Sequence, residues 1–335
     1  MLSRVLKSKP LINIVKFAAS LILLSIPFKL LKLHFILYLM TLILLYAYLG
    51  QCWNILYGYA GQLSFGHAAF LGIGAYVSSI LLIRFGISPW IGMIVGGAIC
   101  ALFAFFMSFP LLKLRGAYFA LATLGMAEVV RLIVLRLDFI TGGGRGLLLP
   151  VVTSPWLLLF GDIWHWFLTA LGMNLALLYI SYRIEGSKLG MAFRAIKQDE
   201  EASSSVGVDV FKYKMIALLL SASLTGIGGT FYAQLVGYIR PDIILTTERS
   251  DEIVVVAVIG GIGTLWGPML GSAILLSIRQ LIYSLLGGTY MGVHLIVYGI
   301  LIMIIIIFAP EGLYPTIKKR LMMEFGEAKS RGTPS

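Results

Sequence analysis

Charged residues are scarce in this chain. Lys and Arg number 26, Asp and Glu number 15, and together they make up 12% of the 335 residues. A soluble domain ordinarily carries about 25% charged residues, so this chain cannot cover the surface of a soluble globule with polar groups. Only two cysteines are present, too few for a disulfide scaffold. With 59% hydrophobic residues, the composition excludes a soluble enzyme and a disordered chain and indicates an integral membrane protein.

Motifs for catalysis and cofactor binding are also absent. No Gly-Lys dipeptide occurs, so the chain has no Walker A loop for nucleotide hydrolysis. Neither G-x-S-x-G nor H-E-x-x-H is found, the four histidines are scattered, and Cys52 and Cys100 lie in apolar stretches. We therefore predict no catalytic residues, no metal and no cofactor. The net charge of +11 is typical of cytoplasmic loops in a membrane protein rather than of nucleic-acid binding.

Eight apolar stretches are long enough to cross a membrane as helices. They are residues 11–28, 33–52, 62–83, 90–112, 117–137, 163–182, 215–237 and 291–309. A further apolar run, 253–286, is too long for one crossing and is interrupted by Gly260, Gly261, Gly263, Gly267 and Pro268. We divide it into two short segments, about 252–263 and 267–286. The sequence therefore predicts an all-α polytopic membrane protein of about ten transmembrane segments, some of them short and broken by glycine.

The distribution of basic residues predicts the orientation. Arg4, Lys7 and Lys9 place the N-terminus in the cytoplasm. Ten crossings return the C-terminus to the cytoplasm, where the basic tail 318–335 belongs, and they place the basic loop 183–214 inside as well. Lys29 and Lys32 fall outside and disagree with this assignment. The N-terminus resembles a signal peptide without a clear cleavage site, so we interpret it as an uncleaved first helix. Residues 1–317 form one transmembrane domain.

The inner loop 183–214 is the longest polar stretch. Met191, Ala195 and Ile196 share one helical face, while charged residues occupy the others. This pattern predicts a short amphipathic helix that ends near Gly207. A solvated connector between two transmembrane helices is the alternative.

Polar residues inside apolar segments are candidates for a solute pathway, because charge and polarity are costly in a bilayer. Glu128 and Arg131 lie at i, i+3 in the same stretch and form either a neutralised structural pair or a polar wall of a pathway. Gln62, Ser64 and His67 precede a glycine-spaced apolar run, and interrupted segments in a transporter indicate its pathway. The pathway candidates are Gln62, Ser64, His67, Glu128, Thr141, Gly260, Gly261 and Gly263.

Six stretches together resemble the LivM-type permease subunits of bacterial branched-chain amino acid ABC importers. They are GYAGQLSFGHAAFLGIGAY (58–76), LRGAYFALATLGMAEVVRLI (114–133), TGGGRGL (141–147), GMAFRAIKQDEEASSSVGVDVFKYK (190–214), VIGGIGTLWGPMLGSAIL (258–275) and FAPEGL (308–313). They follow the family's order over most of the chain. The second and third favour the LivM type over its LivH-type partner.

The resemblance implies a transport subunit with no ATPase site of its own, in the bacterial cell membrane. The loop at 190–209 is similar to the family's coupling helix, which docks on the ATPase. Its implied coupling residues are Arg194, Glu200, Glu201, Ala202 and Gly207. The implied partners are a LivH-type permease, two ATP-binding-cassette ATPase subunits, an extracytoplasmic solute-binding protein, the lipid bilayer and a small amino-acid substrate. Ser203, Ser204 and Ser205 depart from a more Ala-rich family pattern.

The residues leave the solute open. The resemblance implies a branched-chain or related amino acid, whereas related permeases carry urea or short amides. A secondary transporter that works without an ATPase is a further alternative, which the 190–209 loop disfavours.

Overall fold

The computed structural model describes residues 2–150, 154–158, 160–286, 296, 299–300, 302–304, 307 and 309–319. Thirteen α-helices are assigned within these residues. They are α1 (Leu2–Leu30), α2 (His34–Asn54), α3 (His67–Phe85), α4 (Pro89–Leu111), α5 (Ala117–Arg136), α6 (Asp138–Thr141), α7 (Ile163–Glu185), α8 (Lys188–Gln198), α9 (Glu200–Ser205), α10 (Val210–Val236), α11 (Pro241–Ile244), α12 (Thr247–Gly260) and α13 (Gly267–Leu286). Residues 313–319 are also helical.

Seven described helices are long and apolar enough to cross a membrane, namely α2, α3, α4, α5, α7, α10 and α13. The all-α membrane fold is thereby confirmed, whereas the count of ten segments and the orientation of the termini stay predictions. Helix α12 has only 14 residues, a rise of about 21 Å, which is shorter than the hydrocarbon core of about 30 Å. The predicted segment 291–309 lies largely outside the described residues, as does most of the predicted tail 318–335.

Helix α10 lies at the centre of the bundle and packs against α3 and α4. The contact with α3 is close because both helices place glycine at the crossing. A Cβ atom on Gly74 would lie 2.0 Å from the carbonyl oxygen of Gly226, and one on Gly229 would lie 2.0 Å from that of Leu71. Such contacts are typical of membrane helices, which associate through close backbone packing.

Helix α2 forms a second contact centre, against α7, α12 and α13. It continues as a π-helix over Ile55–Tyr59, so it reaches beyond the predicted end at residue 52. The segment 62–66, predicted as the start of the next helix, is not helical, and α3 begins at His67. The indole of Trp53 donates to the carbonyl oxygen of Ser64 at 2.7 Å. This bond holds the non-helical segment against α2.

The predicted break in the long apolar run is confirmed. Helix α12 ends at Gly260, and Gly261 follows with φ +126°, a conformation that favours glycine. Helix α13 starts at Gly267. The first of the two helices begins at Thr247, five residues before the predicted start at 252. Glu252 therefore lies inside α12 and not at its beginning.

Two short strands close the opposite end of the bundle from α8. Leu147–Leu148 and Tyr238–Ile239 pair antiparallel, with Leu147 opposite Ile239. The pairing joins the glycine-rich loop after α5 to the segment after α10.

Candidate functional site

The predicted amphipathic helix of the inner loop is two helices. Asp199 ends α8, and its side chain accepts hydrogen bonds from the backbone N–H groups of Glu201 at 2.9 Å and Ala202 at 3.0 Å. Aspartate is a favoured N-cap residue because it satisfies these otherwise unpaired donors. Asp199 therefore starts α9 as a separate helix. Gly207 lies in the turn that follows α9.

The buried face of α8 shares Ile196 with the predicted apolar face and otherwise differs from it. Ala192, Phe193 and Ile196 are buried against the bundle, whereas Met191 is 57% exposed. Val206, after α9, is 79% exposed. Together α8 and α9 present apolar side chains to the outside as well as to the bundle.

Glu200 is the main polar contact between α9 and the bundle. It forms an ion pair with Lys214 of α10, whose side chain is only 2% exposed. Gln62 donates to Glu200 Oε1 at 3.4 Å, and Arg115 Nε lies 3.9 Å from Glu200 Oε2. Arg115 also pairs with Glu201 at 2.9 Å. Glu200 thus joins the segment before α3, the α4–α5 turn and α10.

Lys197 connects α8 to the π-helix. Its ammonium group donates to the carbonyl oxygen of Gly58 at 2.7 Å, and partial burial lowers the pKa of Lys197. Arg194 donates to the carbonyl oxygen of Glu185 at 3.2 Å and is otherwise exposed. A cavity of about 370 Å³ lies between these groups, lined by Gly58, Tyr59, Glu185, Arg194, Lys197 and Gly263.

Asn54 connects the same region to the break between α12 and α13. Its side-chain oxygen accepts from the backbone N–H of Gly263 at 2.7 Å, and its amide donates to the carbonyl oxygen of Thr264 at 2.9 Å. The break is therefore fixed to the last turn of α2 through both atoms of one side chain. We name the group formed by Asn54, Gly58, Lys197 and Gly263 the hinge contact.

The pathway candidates do not form one group. Gln62 and Gly263 reach the α8 region, and Gly260 and Gly261 lie at the nearby break. Ser64 is buried, and its hydroxyl accepts from the N–H of Gly66 at 3.2 Å.

His67 is fully buried in the core. His67 Nε2 lies 2.8 Å from the hydroxyl of Ser221, which donates to the carbonyl oxygen of Cys52 at 2.7 Å. This chain of contacts joins α3, α10 and α2 through the Nε2 atom of His67, while its Nδ1 atom is buried and has no hydrogen-bond partner among the described residues.

Glu128 and Thr141 lie elsewhere. Glu128 pairs with Arg131 at 2.5 Å, and the two side chains are 40% and 24% exposed. The hydroxyl of Thr141 donates to the carbonyl oxygen of Val134 at 2.6 Å, after the end of α5. Among the described residues, neither side chain is hydrogen-bonded to Gln62, Ser64 or His67.

The structure contains a polar cluster that the sequence interpretation missed. Glu252 accepts hydrogen bonds from Tyr46 at 2.6 Å, Arg249 at 2.8 Å and Arg279 at 2.5 Å. Arg249 also donates to the Tyr46 hydroxyl at 2.6 Å. We name Tyr46, Arg249, Glu252 and Arg279 the arginine–glutamate cluster. Arg249 and Glu252 have the same i, i+3 spacing as Glu128 and Arg131, and this signal was available in the sequence.

Comparison with known proteins supports the resemblance. The family model described as branched-chain amino acid transport system / permease component matches residues 35–309. The chain is similar to the high-affinity branched-chain amino acid transport system permease protein LivM of Escherichia coli (strain K12), with 29% identity over 314 residues, which cover 86% of this chain and 72% of that relative.

The chain is also similar to two further relatives, one named LivM and one named LivH. The probable branched-chain amino acid transport permease protein LivM of Methanocaldococcus jannaschii is 23% identical over 335 residues, covering 83% of this chain and 94% of the relative. The high-affinity branched-chain amino acid transport system permease protein LivH of Salmonella typhimurium is 24% identical over 295 residues, which cover 82% of this chain and 93% of that relative.

No solved structure matches the chain. The LivM-type resemblance is confirmed, and the spanning helices with the family identify a multi-pass protein of the bacterial inner membrane. The chain belongs to the family of branched-chain amino acid transport system permease components.

Proposed function

We propose that this chain is the membrane-spanning subunit of an ATP-binding-cassette importer, forms half of the translocation pathway for branched-chain or related amino acids, and is driven by separate ATPase subunits. The observation that supports this best is the position of α8 and α9. They lie at one end of the bundle, expose Met191 and Val206, and contact the permease through Lys197 and Glu200. A partner that binds their outer surface could therefore move the bundle.

Two contacts would transmit a displacement of α8 to the helix break after α12. Lys197 holds the π-helix at Gly58, and Asn54 holds the break at Gly263 and Thr264. A displacement of α8 toward or away from the membrane changes the hinge contact and, through it, the angle between α12 and α13. Helix breaks of this kind line the pathway in transporters. The proposed role of the ATPase is to drive this displacement.

The proposed topology has ten crossings with both termini in the cytoplasm. Helices α1 and α12 and the segment 291–309 supply the three crossings beyond the seven long helices. This assignment places α8, α9 and the basic tail on one side, as the positive-inside rule expects. Cysteine introduced at Glu201 would then react with impermeant thiol reagents only from the cytoplasm, and cysteine at Leu148 only from outside. The native Cys52 and Cys100 are buried and give little background.

The proposed partners follow from the same arrangement. A LivH-type permease supplies the second half of the pathway, and two ATPase subunits bind the α8–α9 surface. A solute-binding protein delivers the amino acid at the opposite end, where the loop 141–147 and the two short strands lie.

The decisive experiment is purification of the native complex followed by reconstitution in proteoliposomes. The expected result is co-purification of ATPase subunits and leucine uptake that requires internal ATP and the solute-binding protein. Uptake by the chain alone under an ion gradient would instead show a secondary transporter. ATP-dependent uptake of urea or acetamide, without uptake of leucine, isoleucine or valine, would show the related permease for urea or short amides.

A further inference from the structure

The arginine–glutamate cluster lies at membrane depth. Tyr46 is near the middle of the 26-residue span His34–Tyr59, about 18 Å from its first residue. Arg279 lies within the span Gly267–Leu285, and Glu252 belongs to α12, which packs against both α2 and α13. Four polar side chains from three helices therefore meet within the membrane-spanning part of the bundle.

The three charged side chains of the cluster are partly exposed. The side chains of Arg249 and Glu252 are each 24% exposed, and that of Arg279 is 33% exposed. Charged side chains in membrane proteins face the bundle interior or a water-filled cavity rather than lipid. The exposed side of the cluster therefore faces an aqueous space or a second permease subunit, and α12 is a broken helix of the kind that forms solute sites.

The cluster carries excess positive charge. Two guanidinium groups, which stay protonated in proteins, both pair with the carboxylate of Glu252. The chain has no Asp or Glu from residue 253 to residue 310, so no later membrane segment can supply a second carboxylate. Glu248 and Asp251, also on α12, are exposed and form no ion pair with Arg249 among the described residues. An additional anion would complete the cluster.

The guanidinium group of Arg249 also has donors that are not used within the cluster. Arg249 uses Nε for the carbonyl oxygen of Ile243 and Nη1 for Tyr46 and Glu252. Among the described residues its Nη2 has no hydrogen-bond partner. The Nη2 group of Arg249 can donate a charge-assisted hydrogen bond to a further carboxylate, while a carboxylate such as Glu252 accepts from an ammonium group.

These features match both ends of an amino-acid backbone. We propose that the arginine–glutamate cluster is the binding site within the membrane for an α-amino acid zwitterion, with Arg249 and Arg279 binding its α-carboxylate and Glu252 its α-ammonium group. This inference rests on the proposed function and deepens it. Since both charges of the solute are recognised, the site selects amino acids over urea and short amides, which lack both charges.

The test uses the purified complex in proteoliposomes with its solute-binding protein, and measures leucine uptake and ATP hydrolysis in the same preparation. Glu252→Gln keeps the shape of the side chain and removes the charge. We expect leucine uptake to fall about tenfold or more, as for loss of one charge-assisted hydrogen bond, while ATP hydrolysis stimulated by the binding protein stays within about twofold. Arg279→Lys, which keeps the charge and removes the planar fork, should act in the same way.

The exposed Glu248 on the same helix provides a matched control. Glu248→Gln removes a carboxylate of α12 that forms no ion pair with Arg249 among the described residues, and uptake should stay within about twofold of the unsubstituted complex. If Glu252→Gln prevents assembly, Arg279→Lys decides the question.

Three outcomes would overturn the site. Uptake within about twofold of the unsubstituted complex in both cluster variants would exclude a role in binding. A parallel fall of uptake and ATP hydrolysis in both would show a structural clamp between helices. Absence of ATP-dependent leucine uptake in the unsubstituted complex would overturn the proposed function, and the zwitterion site with it.

Discussion

The ion pair between Glu200 and Lys214 should control how firmly α9 is held against the bundle. Its two ends differ in exposure, since the Lys214 side chain is 2% exposed and that of Glu200 is 26% exposed. Glu200→Gln leaves a buried ammonium group without a carboxylate, which costs about 3–5 kcal/mol in comparable buried pairs. Lys214→Met removes the buried charge itself and leaves Glu200 within reach of water, Gln62 and Arg115, so about 1 kcal/mol is expected.

The double variant tests this reasoning directly. Glu200→Gln with Lys214→Met removes both charges, and its cost should be close to that of Lys214→Met alone, because replacing both partners of a buried pair is nearly neutral. Hydrogen–deuterium exchange of the α9 amides measures the local opening. A loss of about 3 kcal/mol accelerates exchange roughly 100-fold, and this acceleration should appear in Glu200→Gln and largely disappear in the double variant. Additive effects of the two substitutions would refute the proposed role of burial.

Three further substitutions test other contacts. Glu201→Lys breaks an exposed pair with Arg115, so it should leave thermal stability within about 1 kcal/mol and abolish ATP-dependent uptake by altering the docking surface; unchanged uptake would contradict that assignment. Asn54→Ala removes both hydrogen bonds to the break after α12, and we expect about 2 kcal/mol of destabilisation in urea unfolding together with reduced uptake. Gly74→Val places a side chain against Gly226 and should prevent folding, measured as loss of the monodisperse peak in size-exclusion chromatography, whereas Gly125→Ala, with nothing within 4 Å of the new Cβ, should fold normally.

Much of the bundle could be predicted because membrane helices show in hydropathy alone. The seven long helices overlap predicted spans, with ends that differ from them by up to seven residues, and the break at 260–267 is visible because glycines interrupt an apolar run. The division of the inner loop was not predicted, although Asp199 followed by Glu200 and Glu201 is a typical helix start. On α8, Ile196 of the predicted apolar face is buried, whereas Met191 of the same face is apolar yet exposed.

The arginine–glutamate cluster escaped prediction for a physical reason. The segment 246–252 is rich in charged and hydroxyl residues, and hydropathy assigns such a segment to a loop. The structure extends α12 back to Thr247 because Tyr46 and Arg279, from other helices, supply partners for Arg249 and Glu252. Partners separated by 27 and 206 positions along the chain cannot be paired from one sequence.

The hinge contact and the arginine–glutamate cluster are linked by the same two helices. Along α2, Asn54 and Tyr46 are eight residues apart, and along α12, Gly260 and Glu252 are also eight residues apart, about 12 Å in each case. Asn54 joins α2 to the break at one level, and the Tyr46–Glu252 hydrogen bond joins the two helices at the other. A rotation of α12 about the break therefore changes the distance from Glu252 to Tyr46 while α2 stays in place. In the proposed importer, displacement of α8 would reach the zwitterion site by this path, with α12 as the moving element.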